Sequence, residues 1–504
     1  SHKPREDHRV TERPDGSASR PHTDGLPKTQ PLRPSQVRQN VNAKRMLMRL
    51  VQGDSPPTAP MNIVDRLAGS PYANPTIQVV GVDASARKTI DFALHLAEVM
   101  FRYGAGALEV ETSMIAVTAA LGLKNVEVDI TNQSVAINYA PKDQTPITLL
   151  RVVRSWTNNY AGLAQVHQLV TDIVAGGVGR DEAVRRLNEI IRSAKPFPRW
   201  MVTIAFGIFS AVFVGVLGGG LGASAVAFCS NILISLLSRQ LARWRTADFF
   251  NTMACAFLVT FIALMLRWAG VDIAPSIVVA GGILLLLPTG RLVSSVQDAI
   301  NGFPVTAAGR FLSTALTFGA IVAGIGVAVV VGTLIGSEVL DVTDTFPDAY
   351  PLWGQAILIA IAVVAIGVTE QTQLRLLFPT AAVGIVGFFV LWGAGAAGLG
   401  DRLSPAVAAV VIGLLGRVVA LKLGAPQLVV AVPAALILLP GLTIFRSMYV
   451  LTVEEGDILL GAGGMLNAGA IVLGVAAGIV LGDNLARPLT KGLSSNERRR
   501  VRRR

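Results

Sequence analysis

Ten apolar stretches, each near the length that crosses a lipid bilayer, fill the chain between residues 200 and 483. A helix rises about 1.5 Å per residue, so roughly 20 apolar residues span the hydrocarbon. Lipid offers no hydrogen bonds, and a helix satisfies its backbone within the segment, which favours helices over strands. The stretches are 200–221, 222–238, 248–270, 274–292, 311–336, 352–370, 376–397, 404–421, 426–445 and 462–483. With 52% hydrophobic and 15% charged residues, the 504-residue chain is too apolar for one ordinary soluble domain. The expected fold is a mostly α-helical polytopic membrane protein with about ten transmembrane helices.

The second five stretches repeat the first five without a gap. Leu284, Leu286, Leu287 and Pro288 fall on Leu436, Leu438, Leu439 and Pro440, 152 positions later. Gly215 falls on Gly367 and Gly309 on Gly461 by the same shift. Five is odd, so the second copy starts on the opposite side of the membrane and sits upside down. Two inverted five-helix repeats are a building rule of secondary transporters, whose substrate site lies between the repeats near the midplane.

Residues 1–80 are polar and basic, with no apolar signal-peptide core, and are expected to be a disordered tail. From Arg87 the pattern changes. Ile90, Leu94, Ala97 and Phe101 recur at helical spacing, opposite a stripe of Arg87, Asp91, His95, Glu98 and Arg102. A second helix follows Gly106. "NVEVDITNQSVAINYA" alternates as paired strands do, turning near Asn132-Gln133, and "PITLLRVV" reads as a third strand. Helices near 158–175 and 181–194 complete a small cytoplasmic α+β domain. The expected organisation is a tail at 1–80, this domain at 81–197, membrane repeats at 198–340 and 350–486, and a basic cytoplasmic tail at 487–504.

The net charge of +11 is concentrated at the ends, "RRRVRRR" among them. On a membrane protein such runs favour the cytoplasm and anionic headgroups over nucleic acid. The loops assigned to the cytoplasm hold Arg239, Arg243, Arg245, Arg291, Arg310, Arg375, Arg417 and Lys422; the outer loops hold Arg267, Arg402 and Arg446. That bias sets both termini on the cytoplasmic side of the membrane, which the family resemblance given below makes a bacterial cell membrane, with the acidic "GSEVLDVTDTFPDAYP" outside. Expected partners are membrane lipids and a transported substrate, which the resemblance given below makes an amino acid, with no nucleic acid and with room for a homo-oligomer.

Cofactor and metal are both expected to be none. There is no G-x-x-x-x-G-K-[ST] phosphate loop, H-E-x-x-H pair or cysteine cluster. Cys229 and Cys255 lie in apolar stretches, which argues against a disulfide framework. His95 with Glu98 reads as a solvated charged stripe, with an acid/base pair as the alternative. Glu109 and Glu111 point to different sides of a helix. Asp298, after Pro288, is expected to be solvated.

The substrate pathway is sought where the spans are interrupted or polar. Gly281 and Gly282 mark an expected break in the middle of span four, and Pro433 the matching break in span nine. Pro288 and Pro440 close those spans. Asn231, Asp248, Asn251, Glu370 and Asn467 complete the set, because polar groups within a membrane are costly unless they face a partner or a wet cavity. Asp248 and Glu370 lie at span ends, where they read equally as interfacial carboxylates or as proton-coupling groups.

"ALHLAEVMFRYGAGALEVETSMIAVTAALGL" at 93–123 resembles the N-terminal region of the threonine/serine exporter family. The "YGA", the "VE" dipeptide, the closing "LG" and "LLP" at the ends of spans four and nine carry the resemblance. Relatives often have "RVE" where this chain has Leu108-Glu109-Val110-Glu111. The resemblance implies export of threonine and serine driven by the proton gradient. Split-chain relatives make a dicarboxylate exporter the alternative. A membrane-anchored sensor or enzyme using the soluble domain is an alternative of another class.

Overall fold

A computed structural model describes residues 84–141, 146–336, 350–453 and 458–501, all within the compact unit Pro57–Arg504. The expected tail 1–80 lies outside the described residues, as does most of the acidic loop. The α+β part holds α1 (Ala84–Arg102), α2 (Ala107–Ala120), β1 (Val126–Thr131), β2 (Ser134–Tyr139), β3 (Ile147–Val152), α3 (Tyr160–Val174) and α4 (Arg180–Arg192). The strands form one antiparallel sheet in the order β1-β2-β3, with Ile130 opposite Val135 and Ile137 opposite Leu149. Ile90, Leu94, Ala97 and Phe101 of α1 are buried, as their spacing requires.

The helical bundle follows as α5 (Arg199–Val216), α6 (Leu221–Arg243), α7 (Asp248–Trp268), α8 (Pro275–Leu284), α9 (Thr289–Ile300), α10 (Pro304–Ile335), α11 (Leu352–Thr369), α12 (Leu374–Ala396), α13 (Gly400–Lys422), α14 (Leu428–Ala435), α15 (Gly441–Val453) and α16 (Ile458–Val501). Among the described residues, eight helices are long and apolar enough to cross a membrane, and nine if the bent pair α14/α15 counts as one. That is fewer than the ten expected. Span four is the difference: it divides into the apolar α8 and the amphipathic α9, which carries Arg291, Ser294, Ser295 and Asp298. Helix α16 runs on through the basic C-terminal stretch to Val501.

The interruptions sit at the proline motifs and not in mid-span. Gly281 and Gly282 lie inside the regular α8, and Pro433 lies inside α14. A Cβ on Gly281 would come within 2.7 Å of Val214, and one on Gly282 within 2.4 Å of Val259. Close packing against α5 and α7 therefore holds these glycines helical; they admit neighbours instead of opening a gap. The helix yields later. Leu286 N–H and Leu287 N–H bond back only three residues, and Pro288 then starts α9. In the second half, Leu436–Leu438 tightens into a 3-10 turn, Leu439 is extended, and the axis bends by 51° at Pro440. Each proline lacks an N–H and its ring clashes with the preceding turn, which stops the ladder at that point.

Helices of the two halves start in step. Arg199 and Leu352, Leu221 and Leu374, Asp248 and Gly400, Pro275 and Leu428, Thr289 and Gly441, and Pro304 and Ile458 are 152 to 154 positions apart. The first helices of the halves are antiparallel. Phe197 N–H, just before α5, donates to Gln371 Oε1 just after α11, and Gln371 Nε2 returns a bond to Phe197 O, both at 3.0 Å. At the other end of α5, Gly215 lies against Leu358 and Tyr350. The broken spans also meet reciprocally: Gly441 rests on Ala280 and Leu284, and Gly290 faces Val432.

Candidate functional site

The α+β part is joined to one face of the bundle at two places. On the first half, Asp298 and Arg310 form an ion pair of 2.6 Å, with side chains 0% and 4% exposed. Asp298 Oδ1 also accepts the N–H of Ala107 at the start of α2, and Arg310 donates to Ala105 O. The Arg310 guanidinium lies 5.1 Å from the Phe101 ring and 5.2 Å from Trp156. Asp298 is thus fully buried, contrary to the solvated position expected: the docked domain excludes water from α9, which no local pattern announces. Beside this pair, Thr306 accepts from Asn132 N–H and donates to Ile130 O, both at 3.0 Å. On the second half, the turn after α11 supplies carbonyls to the free N–H groups that begin α3: Tyr160 N to Glu370 O and Ala161 N to Gln371 O.

Between these two junctions lies a cavity of about 630 Å³. Arg102, Tyr103, Trp156 and Tyr160 contribute its domain wall. Its bundle wall comes from the start of α7, the break between α8 and α9, the first turns of α10, the end of α11, and Leu428, Val432 and Leu436 of the second broken span. Both interruptions therefore reach one space.

Four of the residues sought from sequence meet here: Asp248, Asn251, Pro288 and Glu370 all line the cavity. Asn251 is anchored to Ser238 Oγ at 3.1 Å. The other six do not line it. Gly281, Gly282 and Pro433 are packed within their helices, and Pro440 lies at the second bend. Asn231 is buried in α6; its amide donates to Ala227 O and its Oδ1 has no partner among the described residues. Asn467 accepts from Arg402 on the face remote from the domain. His95 and Glu98 belong to a half-exposed cluster with Arg151, 3.4 Å from Glu98, and lie away from the cavity. Arg310, counted from sequence as a loop charge, is buried in α10.

The cavity carries charges of both signs that remain unpaired. Asp248 and Glu370 make no ion pair within 4 Å and accept no side-chain hydrogen bond among the described residues. Arg102 and Arg291 likewise have no carboxylate within that distance. Glu370 lies one residue past α11, on the domain side. Burial pushes its carboxyl up to about 7, against the pull of nearby Lys195. Burial also raises the Tyr160 phenol, with the Glu370 charge adding to the effect, so Tyr160 stays a hydroxyl donor. Missed by the sequence reading were Tyr160 and Trp156, and Arg291 was counted only as a loop charge. The "YGA" motif bears only on Tyr160, whose ring lies beside Gly104.

A bundle of eight or nine candidate spans, with two broken helices converging on a polar cavity, defines a multi-pass membrane transport protein. The family model described as "Putative threonine/serine exporter" matches residues 91–332, and that described as "Threonine/Serine exporter, ThrE" matches 355–484. A "Probable threonine/serine exporter" of Mycobacterium tuberculosis is 32% identical over 421 residues, covering 81% of this chain and 78% of the relative. The "Threonine/serine exporter" of Corynebacterium glutamicum is 29% identical over 455 residues, covering 87% of each. A "Probable succinate transporter subunit YjjP" of Klebsiella aerogenes is 26% identical over 236 residues, 46% of this chain and 88% of the relative. No solved structure matches. The chain belongs to the threonine/serine exporter family.

Proposed function

We propose that this protein exports threonine and serine from the bacterial cytoplasm by proton-coupled alternating access, with the α+β domain and both termini inside. The observation that carries the reading is the pairing of unpaired carboxylates and unpaired guanidiniums around one cavity. A zwitterionic amino acid needs both signs. A dicarboxylate would place its two charges against Asp248 and Glu370 at a Coulombic cost. Antiparallel α5 and α11, and helices in step across the halves, support an inverted repeat with the site between the copies. Arg199, Arg239, Arg243 and Arg245 on the domain's face support a cytoplasmic position for it. Glu370, half-buried and poised near neutral pH, is the group best placed to exchange a proton. One proton moving down 100 mV supplies about 2.3 kcal/mol, roughly a fiftyfold gradient.

The test is transport by the purified full chain in liposomes carrying an imposed proton gradient. Threonine and serine should move, succinate should not, and a protonophore should abolish accumulation. Succinate transport without threonine transport would replace this reading with the dicarboxylate one. Accumulation that survives the protonophore would remove the coupling.

A further inference from the structure

The domain does more than dock. Tyr160, the first residue of α3, is 7% exposed, and its hydroxyl makes no hydrogen bond among the described residues. That hydroxyl lies 3.4 Å from where a Cβ on Gly290 would stand. Gly290 is in the first turn of α9, a helix of 12 residues capped by no side chain. The N–H groups of Gly290 and Arg291 have no acceptor among the described residues, because the chain before them turns away at Pro288. A hydroxyl donor on a buried side chain thus lies beside a helix N-terminus with two free N–H groups and the positive end of its dipole, the two coming from different parts of the molecule. The unpaired Arg291 guanidinium lines the same space.

We propose that Tyr160 Oη and the first turn of α9 form the subsite for the α-carboxylate of the transported amino acid, so that the α+β domain is one wall of the substrate site. The inference rests on the amino-acid exporter reading. It assigns the two ends of the substrate: carboxylate at Tyr160, Gly290 and Arg291; ammonium toward Glu370, which follows α11 and whose backbone carbonyl receives the Tyr160 N–H. Glycine at 290 is then required for access, since a side chain would stand between hydroxyl and helix. The side-chain hydroxyl of the substrate plays no part in this subsite.

Tyr160→Phe removes the hydroxyl and keeps the ring. A hydrogen bond to a charged group accounts for about tenfold or more in affinity, so KM for threonine should rise by about that factor at little change in maximal rate. Threoninol, which keeps the amine and the side-chain hydroxyl but has a neutral hydroxymethyl group in place of the carboxylate, should compete weakly with threonine in the unmutated protein. Its inhibition constant should be unchanged in Tyr160→Phe. Gly290→Ala should raise KM for threonine in the same direction. The proposal is overturned if both variants keep the original KM, or if Tyr160→Phe weakens threoninol and threonine by the same factor, which is the signature of a merely structural residue. Failure of the unmutated protein to move threonine or serine would instead refute the exporter reading, and that is decided before any variant is made.

Discussion

Asp298 of α9 and Arg310 of α10 face each other at 2.6 Å with almost no access to water, and the α+β domain completes both: Ala107 N–H on the carboxylate, Ala105 O on the guanidinium. By sequence position both residues fall in a loop between spans, yet the structure buries them where the domain meets the bundle. The pair's bonds fix the domain over the cavity, against the end of α9 and the first turns of α10.

Removing one partner should therefore be far worse than removing both. Arg310→Ala leaves a buried carboxylate with one N–H for company, and breaking such a pair costs about 3–5 kcal/mol. Asp298→Asn combined with Arg310→Met removes both charges at similar volume and should recover much of that loss. Thermal unfolding of the detergent-solubilised full chain measures it; equal melting temperatures for the single and double variants would contradict the account.

Glu370 gives a pH signature. Its carboxyl is held up to about 7, so across about pH 6 to about pH 8 it passes from mostly neutral to mostly charged. Between the ordinary carboxylate pKa and 7 the unfolded chain has lost this proton while the folded chain keeps it. Stability therefore falls as pH rises through that window, and levels off above it. Glu370→Gln should flatten this dependence and, in transport assays, remove the part of the pH profile centred near 7. A profile identical to the unmutated protein's would exclude Glu370 from coupling.

Topology is testable at two exposed turns on opposite faces. Trp244 follows α6 on the domain's face, and Leu399 links α12 to α13 on the other. With Cys229 and Cys255 replaced by serine, Leu399→Cys should react with an impermeant maleimide in intact cells. Trp244→Cys should react only after permeabilisation. The reverse pattern would invert the orientation, and labelling of both sites in intact cells would contradict any arrangement with these turns on opposite sides.

Gly282 should tolerate no side chain. A Cβ there would lie 2.4 Å from a Val259 methyl, and a β-branched side chain on a packed helix has little freedom to yield. Gly282→Ala should lower the amount of folded protein by destabilising the α7–α8 contact, and Val259→Ala should restore part of it. Fluorescence-detected size exclusion of the paired variants reads this directly; full rescue failure would locate the strain elsewhere.

Local chemistry made much of this architecture legible before any coordinates. Apolar runs of bilayer length can only become helices in lipid, and eight of them did. The alternation around Asn132 returned as the β1–β2 pair, and the spacing of Ile90, Leu94, Ala97 and Phe101 as a buried stripe. The doubled "LLP" marked both interruptions, because Pro288 and Pro440 cannot continue the hydrogen-bond ladder, whereas Pro433 is accommodated within α14. Gly281-Gly282 misled, since glycine is permissive in either direction and only its neighbours choose. Val214 and Val259 chose packing.

What the sequence alone determined is governed by residues within a turn or two of one another: most spans, the strands, the breaks at Pro288 and Pro440, and the family motifs. The tertiary structure alone decided which of the polar residues share a space. Asp248, Pro288, Glu370 and Tyr160 are scattered over more than two hundred positions, yet line one cavity, while Asn231 and Asn467 lie off it. Whether a charge is solvated, paired or left free depends on the dielectric and the partners that distant segments bring to it. Asp298 is hidden because Ala107, 191 positions away, donates to it, and Tyr160 reaches a membrane helix because its own helix begins where α11 ends.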